Sequence, residues 1–516
     1  MTNPRSATPR NLQPGALGIA EFRDALAGPV HFTLDEPLAR TLDERAAAIR
    51  ALAAGEDAIY GLNTGFGKLA RTRIAPGQLA QLQRNLVLSH AAGVGEPLPA
   101  PVVRLILLLK ANGLARGYSG VGRAVVESLL ALLRHDVLPV IPAQGSVGAS
   151  GDLAPLAHLS LVLIGEGEAT VGGRRLPGCD ALAAAGLAPL VLGPKEGLAL
   201  LNGTQVSTAL ALAHVLEAGD LLHAALVIGA LSVDAARGSD APFDARLHVL
   251  RGHAGQVECA EGYRRLLEHS AIRASHMRDD ERVQDPYCLR CQPQVVGACL
   301  DQLRRSLGVL AIEANAVSDN PIHFADSGEL VSGGNFHAEP VAFAADGAAI
   351  AIAELGALAE RRVALLIDSS MSGLPPFLSP APGLNSGFML AHVTAAALAS
   401  ENKSLAHPAS VDSMPTSANQ EDHVSMATFA ARRLSAMNAN TRAILAIEYL
   451  AAAQGIGFLA PLATSPPLQR VVQALRARVP ALAEDRVLST DIEAAIRLLQ
   501  EGALVGIVAG LPLPRL

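Results

Sequence analysis

Ser146 and Ser150 stand in "GSVGASGDLAPLAH", residues 145–158, where glycines and alanines remove bulk on both sides and an apolar run that should be helical follows. One chemistry for such a serine is hydrolytic, with the nucleophile in G-x-S-x-G on a strand-to-helix turn. The frame Gly148-Ala149-Ser150-Gly151-Asp152 has Asp where the last Gly belongs, and the chain is poor in strand signals, so that reading fails. The chemistry that uses Ala-Ser-Gly is a backbone cyclisation. The amide nitrogen of Gly151, unhindered because glycine lacks a Cβ, attacks the carbonyl carbon of Ala149, whose oxygen leaves as water, and loss of a second water from Ser150 leaves a methylidene. The product is an electrophile made from the chain itself. Asp152 and the apolar run place a helix N-terminus beside it; the plainer alternative is a helix start capped by Ser150 or Asp152.

Two other motifs fall short of a chemistry. "GLNTGFGK", Gly61 to Lys68, has Leu62 where G-x-x-x-x-G-K needs its first Gly, and Leu69 follows where Ser or Thr is needed. Cys288 and Cys291 form one CxxC with no second pair and no H-x-x-x-H, so packing is expected there and no metal site. Five cysteines in so long a chain suit reduced thiols better than a disulfide framework.

The elements that must position these residues are helical. The chain has 516 residues, 50% of them hydrophobic, enough for a large core and two or more domains. Alanine-rich segments predict helices over 38–54, 78–92, 101–115, 120–135, 203–236, 292–317, 338–368, 385–406 and 419–454, while strand signals are confined to short stretches such as 30–33 and 169–172. The expected fold class is mainly α, a long-helix bundle body with a smaller mixed N-terminal part. The divisions expected are 1–200 for the part carrying the serine motif, 201–455 for the long-helix body and 456–516 for a C-terminal helical cap. Residues 207–233 are apolar over most of a helical circumference, and covering such a helix on every side predicts a homo-oligomer.

Charge and termini narrow the partners. Lys and Arg number 41 against 48 Asp and Glu, a net charge of −7, and no basic run carries interleaved aromatics, so no nucleic-acid partner is expected. The N-terminus lacks the apolar stretch of a signal peptide, and apolar runs elsewhere look shorter than the roughly 20 residues that cross a bilayer. A cytosolic protein with no membrane partner is therefore expected.

"GSVGASGDLAPLAH" resembles the signature of the aromatic amino-acid ammonia-lyase family, as do "YGLNTGFGKLA", "NLVLSHAAGVGEPL", "KEGLALLNGTQ", "RVQDPYCLRCQPQVVGACL", "GGNFHAEPVA" and "LASENKSLAHPASVDSMPTSANQEDHVSM". These blocks run from about residue 56 to 455 in family order. The resemblance implies an ammonia-lyase/fumarase-like fold, a homotetramer with active sites shared between subunits, and conversion of Ala149, Ser150 and Gly151 into 4-methylidene-imidazol-5-one (MIO). Eliminating ammonia from an amino acid needs an electrophile for the amine and a base at the β carbon. With the self-made electrophile, pyridoxal phosphate is not required.

The remaining roles come by resemblance, each beside a plainer reading. Tyr60, one of only five tyrosines, precedes Gly61, Gly65 and Gly67 in a loop; it is the β-proton base or a packing residue. Arg290 is suited to the substrate carboxylate by its planar fork, with Gln284 and Tyr287 lining the same site; the alternative is a solvated turn capped by Asp285 with Pro286 at its first position. Asn202 would bond the cofactor or carboxylate, or cap the long helix after it, and both can hold. Phe336 would lie against the cofactor, or staple a helix start. Glu421 would accept from the substrate side chain, or sit as a first-turn acid that suits the helix dipole where Ser417 and Gln420 form a capping-box pattern.

Substrate choice turns on Ser89 and His90, where the family's selector pair falls. An imidazole needs hydrogen-bond partners and a phenyl ring needs apolar walls, because an unpaired buried polar group costs about 1–3 kcal/mol. The Ser-His pair and Glu421 favour L-histidine, converted to trans-urocanate and ammonia, the first step of histidine breakdown. Tyrosine or phenylalanine lyases, aminomutases and an inactive helical scaffold are the alternatives.

Overall fold

The computed structural model describes residues 8–65, 72–278, 280 and 282–516. Gly67 and Leu69 of the loop after Tyr60 lie outside them. The fold is mainly α, as expected, with 59% of the chain helical and strands of two to four residues. The described chain forms two compact units. One comprises Met1–Ala213, Gly308–Asp346 and Pro408–Arg432, the other His214–Leu307, Gly347–His407 and Arg433–Leu516. Three of the boundaries fall inside the helices Gln205–Ala235, Gln292–Ala314 and Glu339–Ile367.

In the first unit the helix Leu79–His90 packs against Leu153–Leu163 and Glu196–Leu201, and Ala100–Ala115 packs against Arg123–Arg134. Short sheets tie the connections. Val94–Pro97 pairs antiparallel with Pro142–Gln144, and Leu138–Pro139, Glu168–Val171 and Arg174–Pro177 form a three-stranded antiparallel sheet with the middle segment central. In the second unit Leu434–Phe458 is flanked by Met389–Leu405 and Leu488–Gln500.

Most expected helices form within a few residues of their expected ends. The segment 419–454 does not form one helix. Helices begin at Ala427 and Leu434 instead, because residues 416–426 are held by side-chain and backbone bonds described below. The expectation about apolar runs is also corrected. Gln205–Ala235 and Glu339–Ile367 are long and apolar enough to cross a bilayer by length and composition, yet 83% and 61% of their most apolar stretches are buried in the protein. Such burial is what the core helix of a folded bundle shows. Gln205–Ala235 is covered along nearly its whole length by this one chain, so its apolar circumference needs no second copy. Unpartnered apolar side chains lie elsewhere, at Ile312, Phe343, Ile350, Leu390 and Val393, each more than half exposed.

Inside the second unit a buried ion pair fixes three helices. Arg362, 1% exposed, meets Glu448 through Nε at 2.5 Å and Nη2 at 2.8 Å, and Ser232 Oγ donates to the same carboxylate at 2.6 Å. Removing one partner leaves an uncompensated buried charge, whereas replacing both with apolar residues is far milder. Arg362→Met should therefore cost about 3–5 kcal/mol, and Arg362→Met combined with Glu448→Leu should melt closer to the parent. A double variant that melts at or below the single one refutes this account.

Candidate active site

The serine motif is built as a turn between a strand and a helix. Pro142–Gln144 leads into it and the helix Leu153–Leu163 leaves it. Gly151 sits at φ +73°, and a Cβ there would lie 2.2 Å from the carbonyl oxygen of Gly203. Only glycine fits so close a backbone approach. Gly148 is constrained likewise: at φ +65°, its Cβ would meet Ser425 Oγ at 2.3 Å. Gly148 and Gly151 are thus required by neighbouring backbone and side chains.

Asp152 precedes the helix but its side chain does not cap it. Fully buried, its carboxylate accepts from Ser146 Oγ (2.9 Å), Thr428 Oγ1 (2.7 Å), Ser207 N–H (2.7 Å) and Ser207 Oγ (2.9 Å). Its own N–H donates to Gly203 O at 2.8 Å. Ser150 Oγ donates to Glu421 Oε1 at 2.7 Å, and Asn202 Nδ2 donates to Ser150 O at 2.7 Å.

Asn202 does not cap the long helix, which begins at Gln205. It ends the short helix Glu196–Leu201, and its carbonyl accepts from Lys110 Nζ at 2.7 Å. Lys110, wholly buried, also reaches Gln205 Oε1 at 3.3 Å, and burial pulls its amine down to about 7 against the opposing charge of Asp319. Nearby, Lys195 pairs with Asp319 at 2.9 Å, and Glu313, raised by burial, accepts from Thr204 Oγ1 at 2.5 Å.

Glu421 does not start a helix either. It forms an isolated bridge with Thr416, whose Oγ1 donates to Glu421 Oε2 at 2.6 Å. The connection between them runs through Ser417, Ala418 and Asn419, all at φ between +50° and +65°. Left-handed backbone costs about 1–2 kcal/mol per non-glycine residue, so helix propensity in this stretch is overridden by the bonds that carry Glu421 to Ser150. Ser425 Oγ donates to Gly148 O at 3.0 Å and Met426 N–H to Val147 O at 2.8 Å, which fixes the far end of the same segment.

The pair Ser89 and His90 closes the helix Leu79–His90. His90 Nδ1 lies 2.9 Å from Leu86 O and 3.0 Å from Ser89 Oγ; the tautomer in which Nδ1 donates to the carbonyl leaves Nε2 as the acceptor. Ser89 Oγ donates to Leu86 O at 3.2 Å. Just beyond, Gly93 N–H donates to His158 Nε2 at 3.1 Å and Val94 pairs with Gln144, so this helix end is held on the strand that enters the serine motif. Phe336, half-buried, comes two residues before Ala338, whose N–H donates to Gly148 O at 3.2 Å.

Tyr60 and Gly61 begin a turn fixed by Asn63. Asn63 Oδ1 accepts from Ile59 N–H at 2.8 Å, and Nδ2 donates to Asp57 O at 2.9 Å. Ile59 and Leu62 pack with Ile49, Ala53, Leu79 and Ile74 beneath it.

Gln284, Tyr287 and Arg290 belong to the second unit. Asp285 does not cap their short helix, Tyr287–Arg290; its Oδ2 accepts from Ser239 N–H at 2.6 Å instead. Gln284 is exposed and Tyr287 is 70% exposed, with the Arg290 guanidinium 4.7 Å over its ring. Arg290 Nε is buried without a hydrogen-bond partner among the described residues.

The structure thus joins Ser150, Asn202 and Glu421 by direct bonds and holds the His90 and Phe336 segments on the same turn. Sequence reasoning missed the bonds of Ser146, Ser207 and Thr428 to Asp152, and Lys110 beneath Asn202. Lys110 alone carried a signal, as the single lysine in the apolar run "VVRLILLLKANGLA".

The residues present fit a cyclised Ala149-Ser150-Gly151. Gly151 lacks a Cβ at a position with φ +73°, Ser150 O and Oγ are each held by a partner, and Asn202 Oδ1 is a buried acceptor without a hydrogen-bond partner among the described residues.

Comparison with known proteins places this geometry. The aromatic amino acid lyase family pattern matches residues 17–477. A histidine ammonia-lyase of Burkholderia pseudomallei (strain 668) is 61% identical over 492 residues, 95% of this chain and 97% of that relative. The crystal structure of histidine ammonia-lyase from Trypanosoma cruzi superposes with a TM-score of 0.88 at 39% identity, covering 98% of this chain and 96% of that one. That of a tyrosine aminomutase from Streptomyces globisporus gives 0.92 at 35% identity, covering 98% and 99%. Backbone similarity therefore does not separate the chemistries, and the side chains must. The chain belongs to the aromatic amino acid lyase family.

Proposed function

We propose that this protein eliminates ammonia from L-histidine to give trans-urocanate. The observation that carries the reading is the Glu421 carboxylate 2.7 Å from Ser150 Oγ: once Ser150 gives up its hydroxyl, Oε1 is an acceptor for an imidazole N–H beside the reacting tripeptide, and a phenyl ring would leave that oxygen without a donor while Oε2 keeps Thr416. His90, with Nε2 free to accept, and the 61% identity to a histidine ammonia-lyase support it.

Ala149, Ser150 and Gly151 would hold MIO, which supplies an electrophile for the substrate amine. Asn202 Nδ2 keeps Ser150 O in place, and Asn202 Oδ1 remains to accept from the substrate amine or carboxyl group. Arg290 binds the substrate carboxylate with its planar fork, Gln284 and Tyr287 line the same pocket, and Phe336 supplies an apolar wall. Tyr60 takes the β proton as the carbon–nitrogen bond breaks, leaving the double bond of the product. His90 and Glu421 meet the two ring nitrogens of the substrate, both as acceptors, so the ring is held as imidazolium, with Ser89 beside them.

We further infer a homotetramer. The exposed apolar side chains Ile312, Phe343, Ile350, Leu390 and Val393 support it, as do Gln284 and Tyr287, which are presented to solvent and suit a site completed by another copy.

Three outcomes test the reading. With L-histidine, L-tyrosine and L-phenylalanine in separate cuvettes, urocanate absorbance and free ammonia should rise with histidine alone; a phenyl product would overturn the roles of His90 and Glu421. Tyr60→Phe should lower turnover by about 10²–10⁴-fold, while the intact mass stays lighter than the sequence by two waters; near-normal turnover would refute the base assignment. Light scattering should give the mass of four chains, and a monomer at micromolar concentration would remove the tetramer.

A further inference from the structure

We propose that His337, Glu339 and His423 form a binding site for a divalent cation of the zinc class. One ligand atom from each residue lies within 4.8 Å of the others. Two imidazoles and a carboxylate are a donor set that suits zinc, leaving a fourth position for water.

The argument rests on two acceptors that face each other. His337 Nε2 lies 3.2 Å from the carbonyl oxygen of His423, which can only accept, so Nε2 carries a proton and Nδ1 of the neutral ring presents a lone pair. That lone pair is 4.0 Å from Glu339 Oε2, an oxygen shut off from solvent with no hydrogen-bond partner among the described residues. A lone pair and a buried carboxylate oxygen at this distance repel unless a proton or a metal cation lies between them, and the second imidazole within 4.8 Å suits the metal. Glu339 is the first residue of the helix Glu339–Ile367, where a negative charge is favoured. That explains the charge but not the unpaired oxygen. Ligand atoms around tetrahedral zinc stand roughly 3.3–3.5 Å apart, given bonds of about 2.0–2.1 Å, so closing from 4.0 Å needs only a small rotation. The His423 ring, exposed and 5.7 Å from that of His337, can turn to complete the set.

The position gives the ion a consequence. His337 is flanked by Phe336 and by Ala338, whose N–H bonds Gly148 O; His423 lies between Glu421 and Ser425, whose Oγ bonds the same oxygen. A cation would link the two segments that hold Gly148 and carry two candidate site residues, so bound zinc should lower turnover and a chelator should restore it.

The test uses full-length, chelator-stripped protein and zinc chloride without amino acid, since free histidine itself chelates zinc. Calorimetry should give one ion per chain, weakened at least tenfold in both Glu339→Gln and His423→Ala. X-ray absorption of the wild-type complex should show a nitrogen and oxygen shell with two imidazoles, a readout independent of how the variants fold. Absence of binding, binding unchanged in both variants, or sulfur in the shell, which would place the ion at Cys288 and Cys291, would each overturn the site.

Discussion

A carboxylate with no access to water must be satisfied by the protein, and Asp152 is satisfied four times over. Hydrogen bonds to a charged group contribute about 1.5–3 kcal/mol each, and leaving such a group unpaired costs more than any one of them returns. The donors come from Ser146, just before the tripeptide, from Ser207 in the first turn of the long core helix, and from Thr428, which follows the Glu421 segment. Chain segments separated by hundreds of residues are thereby fastened to one oxygen pair. The turn at Ala149-Ser150-Gly151 has little freedom left once those bonds form.

Around that anchor the polar interior is arranged in tiers. Asn202 reaches Ser150 from one side and is itself held from beneath by Lys110. Glu421 reaches it from the other, on a connection whose left-handed residues are tolerated because both ends are tied down. Strained backbone of this kind persists only where surrounding bonds over-determine it.

Much of the fold was legible because alanine-rich, apolar segments of helical length have few alternatives, and the extent of most helices follows from composition alone. The failures are instructive in kind. Asn202, Asp152 and Asp285 each have the residue type and spacing of a local cap, yet each spends its side chain on a distant partner. Local propensity at a cap is worth about 1 kcal/mol, and a buried charge-assisted bond outweighs it. Nothing in linear spacing shows that residues 146, 207 and 428 converge. The tripeptide and the Ser89-His90 pair stand out in the sequence as contiguous blocks that resemble those of the family.

The order of Asp152's donors along the chain also sets a schedule. Ser146 and Ser207 leave the ribosome early, but Thr428, Glu421 and Ser425 follow only when most of the polypeptide has been made. Until then the carboxylate lacks a donor, Ser150 lacks its carboxylate partner, and Gly148 lacks its hydroxyl. The turn at Ala149-Ser150-Gly151 therefore receives its last bonds from residues made late, and its final geometry depends on the C-terminal part of the chain being present.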